Sequence, residues 1–243
     1  MNVPAASGAT DDRQAVIASA DGGVRGWLGW FALAVIVGMQ AGTFFEPLGS
    51  VGETRVADWL DLVTPYAVVG CAAMAMHRGD AGRSAWLLFG VGAVTFTLGH
   101  GLHLAANSVS NADDVALKEA DIVHLWDEVV SHYIWYTGLF VMLAAIAVAV
   151  RAERLHLGVF DVVVAVAFTV TLVNTYIEGG VPWLGLVFLG SAAAASWIWR
   201  SDPVAKLLGL VGGLGLVLLV GWGLAWYVAD GSVFPEFSDV GWI

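Results

Sequence analysis

Seven apolar stretches, each about as long as a bilayer is thick, dominate this chain of 243 residues. They fall at approximately 26–46, 58–77, 84–108, 121–150, 158–178, 182–200 and 205–229. A helix needs about 20 consecutive, mostly apolar residues to cross the hydrocarbon core, and each stretch meets that length. Charged or Gly/Pro breaks separate them: Pro47-Leu48-Gly49, His77-Arg78-Gly79-Asp80, the Asn111–Lys118 loop, Arg151–Arg154, Gly179-Gly180-Val181-Pro182 and Arg200–Pro203. In lipid a lone segment must satisfy its own backbone polar groups, so each stretch is expected to be helical. The expectation is an all-α, polytopic membrane protein, a seven-transmembrane-helix bundle forming one domain over residues 26–243. Residues 1–25 are small, polar and unpatterned, and lack the basic and apolar regions of a signal peptide. They are expected to be a flexible cytoplasmic tail.

Basic residues orient the bundle. Arg13, Arg25, Arg78, Arg83, Arg151, Arg154, Arg200 and Lys206 fall on one side of a seven-span arrangement; only Arg55 and Lys118 fall on the other. Positive charge stays on the cytoplasmic side, which places the N-terminus in the cytoplasm and the C-terminus outside. The expected location is the plasma (cytoplasmic) membrane. Acidic residues gather at the opposite end, including Glu46, Glu53, Asp58, Asp61, Asp113, Asp114, Glu178, Glu236 and Asp239. The formal charge of −11 is therefore an external field and gives no basis for a nucleic-acid partner. Such loops either concentrate cations or keep the surface soluble in a salty medium. A single cysteine, Cys71, excludes an internal disulfide framework and any cysteine-rich metal site.

Against this apolar background, four of the six histidines lie between residues 100 and 132, with two carboxylates among them: His100, His103, His124, Asp127, Glu128 and His132. Ionisable groups inside a bilayer are costly and mark functional sites. His100, His103 and Asn107 share one face of the third span by their i, i+3, i+7 spacing. At about 100° per residue, His124, Asp127, Glu128, Ser131 and His132 fall within an arc of about 140° on the fourth. In an antiparallel hairpin, residues at one depth have a near-constant index sum. That rule pairs His100 with His132, His103 with Glu128 and Asn107 with His124. At about 1.5 Å per residue, His100 and His132 would lie roughly 10–15 Å below the outer helix ends. Trp126, Tyr133, Trp135 and Tyr136 follow and are read first as an interfacial aromatic belt. Asp58 is read as a helix cap, and His77 and His156 as ordinary surface residues.

Imidazole with carboxylate suits zinc, iron, copper or manganese, and zinc is favoured because an open fourth position makes a hydrolytic site. His100, His103, His124, His132 and Asp127 are the expected ligands. Glu128, or Asp127 where it is not a ligand, is the expected catalytic base. Asn107, Ser131 and Glu178 are expected to orient the imidazoles. The leading expectation is a zinc-dependent hydrolase acting on a lipid-like or amphiphilic substrate from the outer leaflet. Alternatives are a membrane oxidoreductase or electron-transfer protein using iron, copper or haem, and a metal-sensing or transport protein. The inner halves of the spans are almost wholly apolar, which disfavours a path through the membrane. Stretches such as Gly209–Gly215 allow close helix contacts without deciding whether these lie within or between subunits, so the sequence leaves oligomerisation open.

In architecture the chain resembles the membrane-embedded zinc hydrolases of the alkaline ceramidase and adiponectin-receptor type. Those place a His-x-x-x-His pair in the last span, whereas Leu207 to Tyr227 holds no histidine here, and no family is assigned on that likeness. The topology is tested by tags at Lys118 and Arg154, which are expected to report opposite sides of the membrane. Labelling from the same side would contradict the seven-span reading.

Overall fold

The computed structural model describes the backbone of residues 8–110, 117–151, 153, 155 and 157–242, with side chains from residue 23 except Thr43 and residues 111–120. The architecture is all-α apart from one very short hairpin. Helix α1 (Gly8–Met39) leads into a short α2 (Ala41–Phe45) and a 3-10 turn (Glu46–Leu48). The hairpin pairs β1 (Ser50–Val51) with β2 (Thr54–Arg55), register Ser50 to Arg55 and Val51 to Thr54. Then come α3 (Val56–Asp61), α4 (Thr64–Arg78) and α5 (Arg83–Ser110). α6 (Leu117–His124) runs through a π-helical segment (Leu125–Ser131) into α7 (His132–Ala149). α8 (Val159–Glu178), α9 (Pro182–Ile198) and α10 (Ala205–Gly209) follow. A second π-helical segment (Leu210–Leu214) joins α10 to α11 (Gly215–Asp230).

Five stretches are long and apolar enough to cross a membrane: Val56–Arg78, Arg83–Ser110, Asp121–Ala149, Val159–Glu178 and Ala205–Asp230. Gly23–Met39 and Pro182–Ile198 are apolar but shorter. Helix α1 begins at Gly8, inside the segment expected to be a tail. Beside an apolar core, the structure buries several polar groups and exposes many large apolar ones. Asp58, His100, Asp127, Ser131, His132, Thr169, Thr171 and Thr175 are buried, while Leu33, Leu87, Val91, Val94, Val163, Val217 and Leu224 are exposed. So much outward apolar surface would drive aggregation in water. In a multi-pass membrane protein it is the lipid-facing side.

The tightest packing joins α5 to α7. A methyl group on Gly99 would overlap the backbone of Trp135, and one on Gly138 would overlap the backbone of Phe96. At Gly92 it would lie 2.7 Å from the Met142 nitrogen. Three glycines along one seam thus let two helix backbones touch, the usual means of helix association in lipid. The apolar core extends outward from this seam through Phe89, Phe96, Leu139, Met142 and Ile146.

The contacts also sort the helix ends by charge. Arg25, where the apolar part of α1 begins, pairs with Asp161 at the start of α8 at 2.8 Å, Gly23 faces Arg78 at the end of α4, and Arg151 after α7 reaches Asp202 at 3.1 Å. At the other end, Asp61 meets His100 and the backbone N–H of Phe237 donates to Glu178. This second end carries most of the acid and the histidines.

Gly138→Ala is expected to lower stability by about 1–3 kcal/mol, the usual range for overpacking. Gly101→Ala is expected to be neutral or mildly stabilising, because its added methyl meets nothing within 4 Å. Thermal unfolding in detergent measures both; equal losses would contradict the seam.

Candidate functional site

The π-helical segment Leu125–Ser131 positions the chemistry. Its wider turn bonds each N–H one residue further back than an α-turn does, and such segments are frequent at functional sites. Every side chain before it is consequently rotated relative to those after it. His124, expected on the shared polar arc, is therefore exposed, whereas Asp127 and Ser131 are buried and Glu128 is partly buried. The Ser131 hydroxyl donates to the Asp127 carbonyl, so it is used within the helix.

The register between the two helices differs from the index-sum expectation. His103, not His100, faces His132, with ring centroids 4.9 Å apart. His100 instead meets the edge of Trp135 at 4.9 Å. The glycine seam is the cause: Gly99 must sit over Trp135 and Gly138 over Phe96, which slides α5 by about two to three residues past the expected pairing.

The result is two imidazole–carboxylate groups on either side of Trp135. In the first, His100 Nε2 lies 3.1 Å from Asp61 Oδ2, and the Thr64 hydroxyl donates to Asp61 Oδ1 at 2.5 Å. With the carboxylate as acceptor, the proton belongs on His100 Nε2, leaving Nδ1 with the lone pair. Asp58 beside it is held by Arg55 at 2.8 Å, so the cap expected there is an ion-paired carboxylate instead. In the second group, His103 Nδ1 lies 2.7 Å from Asp127 Oδ1. His132 Nδ1 donates to the Gly179 carbonyl at 2.9 Å and lies 3.6 Å from Glu128 Oε2. That bond fixes the tautomer and leaves Nε2 of His132 as the free lone pair. Glu178 does not orient an imidazole; it accepts the Phe237 N–H at 3.0 Å.

The His103–Asp127 contact has a particular character. It is close, yet it lacks hydrogen-bond alignment, and both atoms are buried without a hydrogen-bond partner. Trp135 Nε1 is the third such atom among the described residues. The Trp135 ring stacks on His103 at 5.1 Å. A buried polar group left without a hydrogen bond costs about 1–3 kcal/mol, and these three lie in one cluster.

Sequence reasoning missed the Gly179 carbonyl and under-weighted three other participants. Trp135 and Tyr136 are not belt residues: both are buried, and Tyr136 stacks on His132 at 5.3 Å. Trp126 and Tyr133, by contrast, are exposed. Asp61 was a weaker candidate at the outer level of the second span; its position one turn before Thr64 was the further signal. The Gly179 carbonyl left no side-chain trace, although the last carbonyls of a helix are known to need partners. His77 is exposed as expected, and His156 lies outside the described residues. Asn107 is engaged with neighbours on α5 or beyond it. Among the described residues, no three His, Cys, Asp or Glu side chains stand in an arrangement that would hold a metal ion.

The C-terminal segment closes this end. After the left-handed Gly231 it folds back, and Trp222 Nε1 donates to the Pro235 carbonyl at 2.9 Å. Glu236 lies against Gly180, whose φ of +62° suits only glycine well.

No protein-family model matches the chain, and no curated protein and no solved structure is similar to it.

Burial, reinforced by the nearby Asp239, Glu178 and Glu128, raises the Glu236 carboxyl above its ordinary value. The folded segment therefore binds this proton better than the unfolded chain. Its contribution is fully present below the ordinary glutamate range of about 4.3 and is lost as pH rises through the raised value. Limited proteolysis of residues 232–242 is expected to slow on acidification in the wild type. That dependence should shrink in Glu236→Gln; an unchanged pH profile would contradict the assignment.

Proposed function

We propose that this chain is a seven-span metalloprotein of the plasma membrane, with its N-terminus in the cytoplasm and a hydrolytic centre near the outer face that acts on a lipid-like substrate. The proposed ligands to a divalent metal, zinc first, are His103, His132 and Asp127. The observation that carries the reading is the cluster of partnerless buried atoms, His103 Nδ1, Asp127 Oδ1 and Trp135 Nε1. Two of them are good metal donors pressed to 2.7 Å with no aligned hydrogen bond between them. A cation shared with the free Nε2 of His132 would satisfy both.

When bound, the metal supplies Lewis-acid polarisation of a water and of the substrate carbonyl. Glu128, less buried than Asp127 and 3.6 Å from His132, is placed to take the proton of the attacking water and return it to the leaving group. The Trp135 N–H is a spare donor for the oxygen on which charge develops. The basic residues at one end and acids at the other support the orientation. His100, paired with Asp61 behind Trp135, would tune the centre without touching the substrate, and His124 would lie outside it.

A second reading has its own support. It is a metal-free acid–base centre with His103 and Asp127, 2.7 Å apart, as the working pair. Elemental analysis and a visible spectrum of the purified protein separate the two. One zinc per chain is expected, lost in His103→Ala and His132→Ala, with Glu128→Gln keeping the metal while losing turnover. No metal, or full metal in both histidine variants, overturns the ligand assignment; a Soret band would replace it with haem.

A further inference from the structure

A cavity lies apart from the histidines. It occupies about 400 Å³ between α1, α7, α8, α9 and the start of the last span. That volume is within the usual range for small-molecule sites, about 300–1,000 Å³. Leu28, Phe31, Phe168, Trp199 and Leu208 are typical of its walls. The polar liners are few. Ser191 already donates to the Val187 carbonyl, and Tyr176 closes the far end. Beyond Tyr176 stand Tyr136 at 5.8 Å and then His132, so two rings separate the cavity from the histidine centre.

Only one end can address a polar group. There the Arg25 guanidinium gives Nε and one Nη to Asp161. Arginine has five N–H donors, so several stay free, and the side chain is 43% exposed. Asp161 also accepts the Gly158 N–H at 2.6 Å, which leaves little acceptor capacity. Arg151 brings a second guanidinium to this end, 5.5 Å over the ring of the lining Trp199. Each guanidinium is ion-paired, Arg25 to Asp161 and Arg151 to Asp202, so what the mouth offers is the spare N–H donors of Arg25, and the interior is apolar. An apolar chamber with N–H donors at one end has the form of an acyl-chain site, the chain inside and the head at the mouth.

We propose that this cavity binds a single-chain amphiphile with an anionic head, the chain lying among α1, α7, α8 and α9 and the head on Arg25. The site is independent of the metal reading, so failure of either leaves the other standing.

The probe is cis-parinarate, a fluorescent single-chain carboxylate, titrated into delipidated protein with energy transfer from tryptophan as readout. One saturable site per chain is expected. Gly29 lines the cavity and a methyl added there meets nothing within 4 Å, so a larger side chain can leave the backbone without a clash, and Gly29→Trp should abolish the saturable signal. Gly29→Leu should weaken it in the same direction and serves if the larger variant fails to fold. Arg25→Gln with Asp161→Asn removes the head-group donors without leaving an orphan charge, and should weaken binding about tenfold. His103→Ala should bind as wild type. No saturable binding, unchanged binding in both Gly29 variants, or a two-chain lipid retained at one per chain in native mass spectra would overturn the proposal.

Discussion

Backbone contact between α5 and α7 is the constraint on which the rest depends. Lipid offers no hydrophobic drive for helices to associate, so close packing through small residues must supply it. Gly99 and Gly138 meet the opposing backbones directly, at Trp135 and Phe96. Once those two contacts are made, no freedom of register remains. His103 must face His132, Trp135 must stand between His100 and His103, and Asp127 must come round onto His103. The polar centre is thus a consequence of the apolar seam below it. Substituting a histidine removes a donor; substituting a seam glycine would move the whole set.

The centre is further held from outside the hairpin. α8 contributes a single backbone atom, the Gly179 carbonyl, and with it the tautomer of His132. The turn after it carries Gly180, against which Glu236 of the folded-back C-terminus rests. α3 and α4 contribute Asp61 and Thr64 to His100. His132 and His100 are thus oriented by different elements, which leaves one lone pair on each of these two rings aimed elsewhere. That division of labour is what second-sphere partners do at a metal or acid–base centre.

Much of the helical framework was legible. The stretch at 158–178 is α8 almost residue for residue, and 84–108 lies within α5, because Gly/Pro and charged breaks bound both and lipid allows little else. The polar cluster was legible as well, since buried histidines and acids stand out in apolar text. The pairing within it was not. An ideal 100° rotation per residue carried His124 onto the polar arc, and a π-helical segment, which leaves no mark in composition, turned it out. Equal-depth pairing also assumed that the polar faces set the register, whereas Gly99 and Gly138 do. Trp135 and Tyr136 read as interfacial by type and are buried by position. The start of α1 at Gly8 lay in text too small and polar to signal a helix.

The most direct test is oxidative cross-linking of paired cysteines in a Cys71→Ser background. His103→Cys with His132→Cys is expected to cross-link rapidly and nearly completely within the membrane, while His100→Cys with His132→Cys stays largely open. Efficient closure of the His100–His132 pair with none at His103–His132 would contradict the seam-imposed register and the centre built on it.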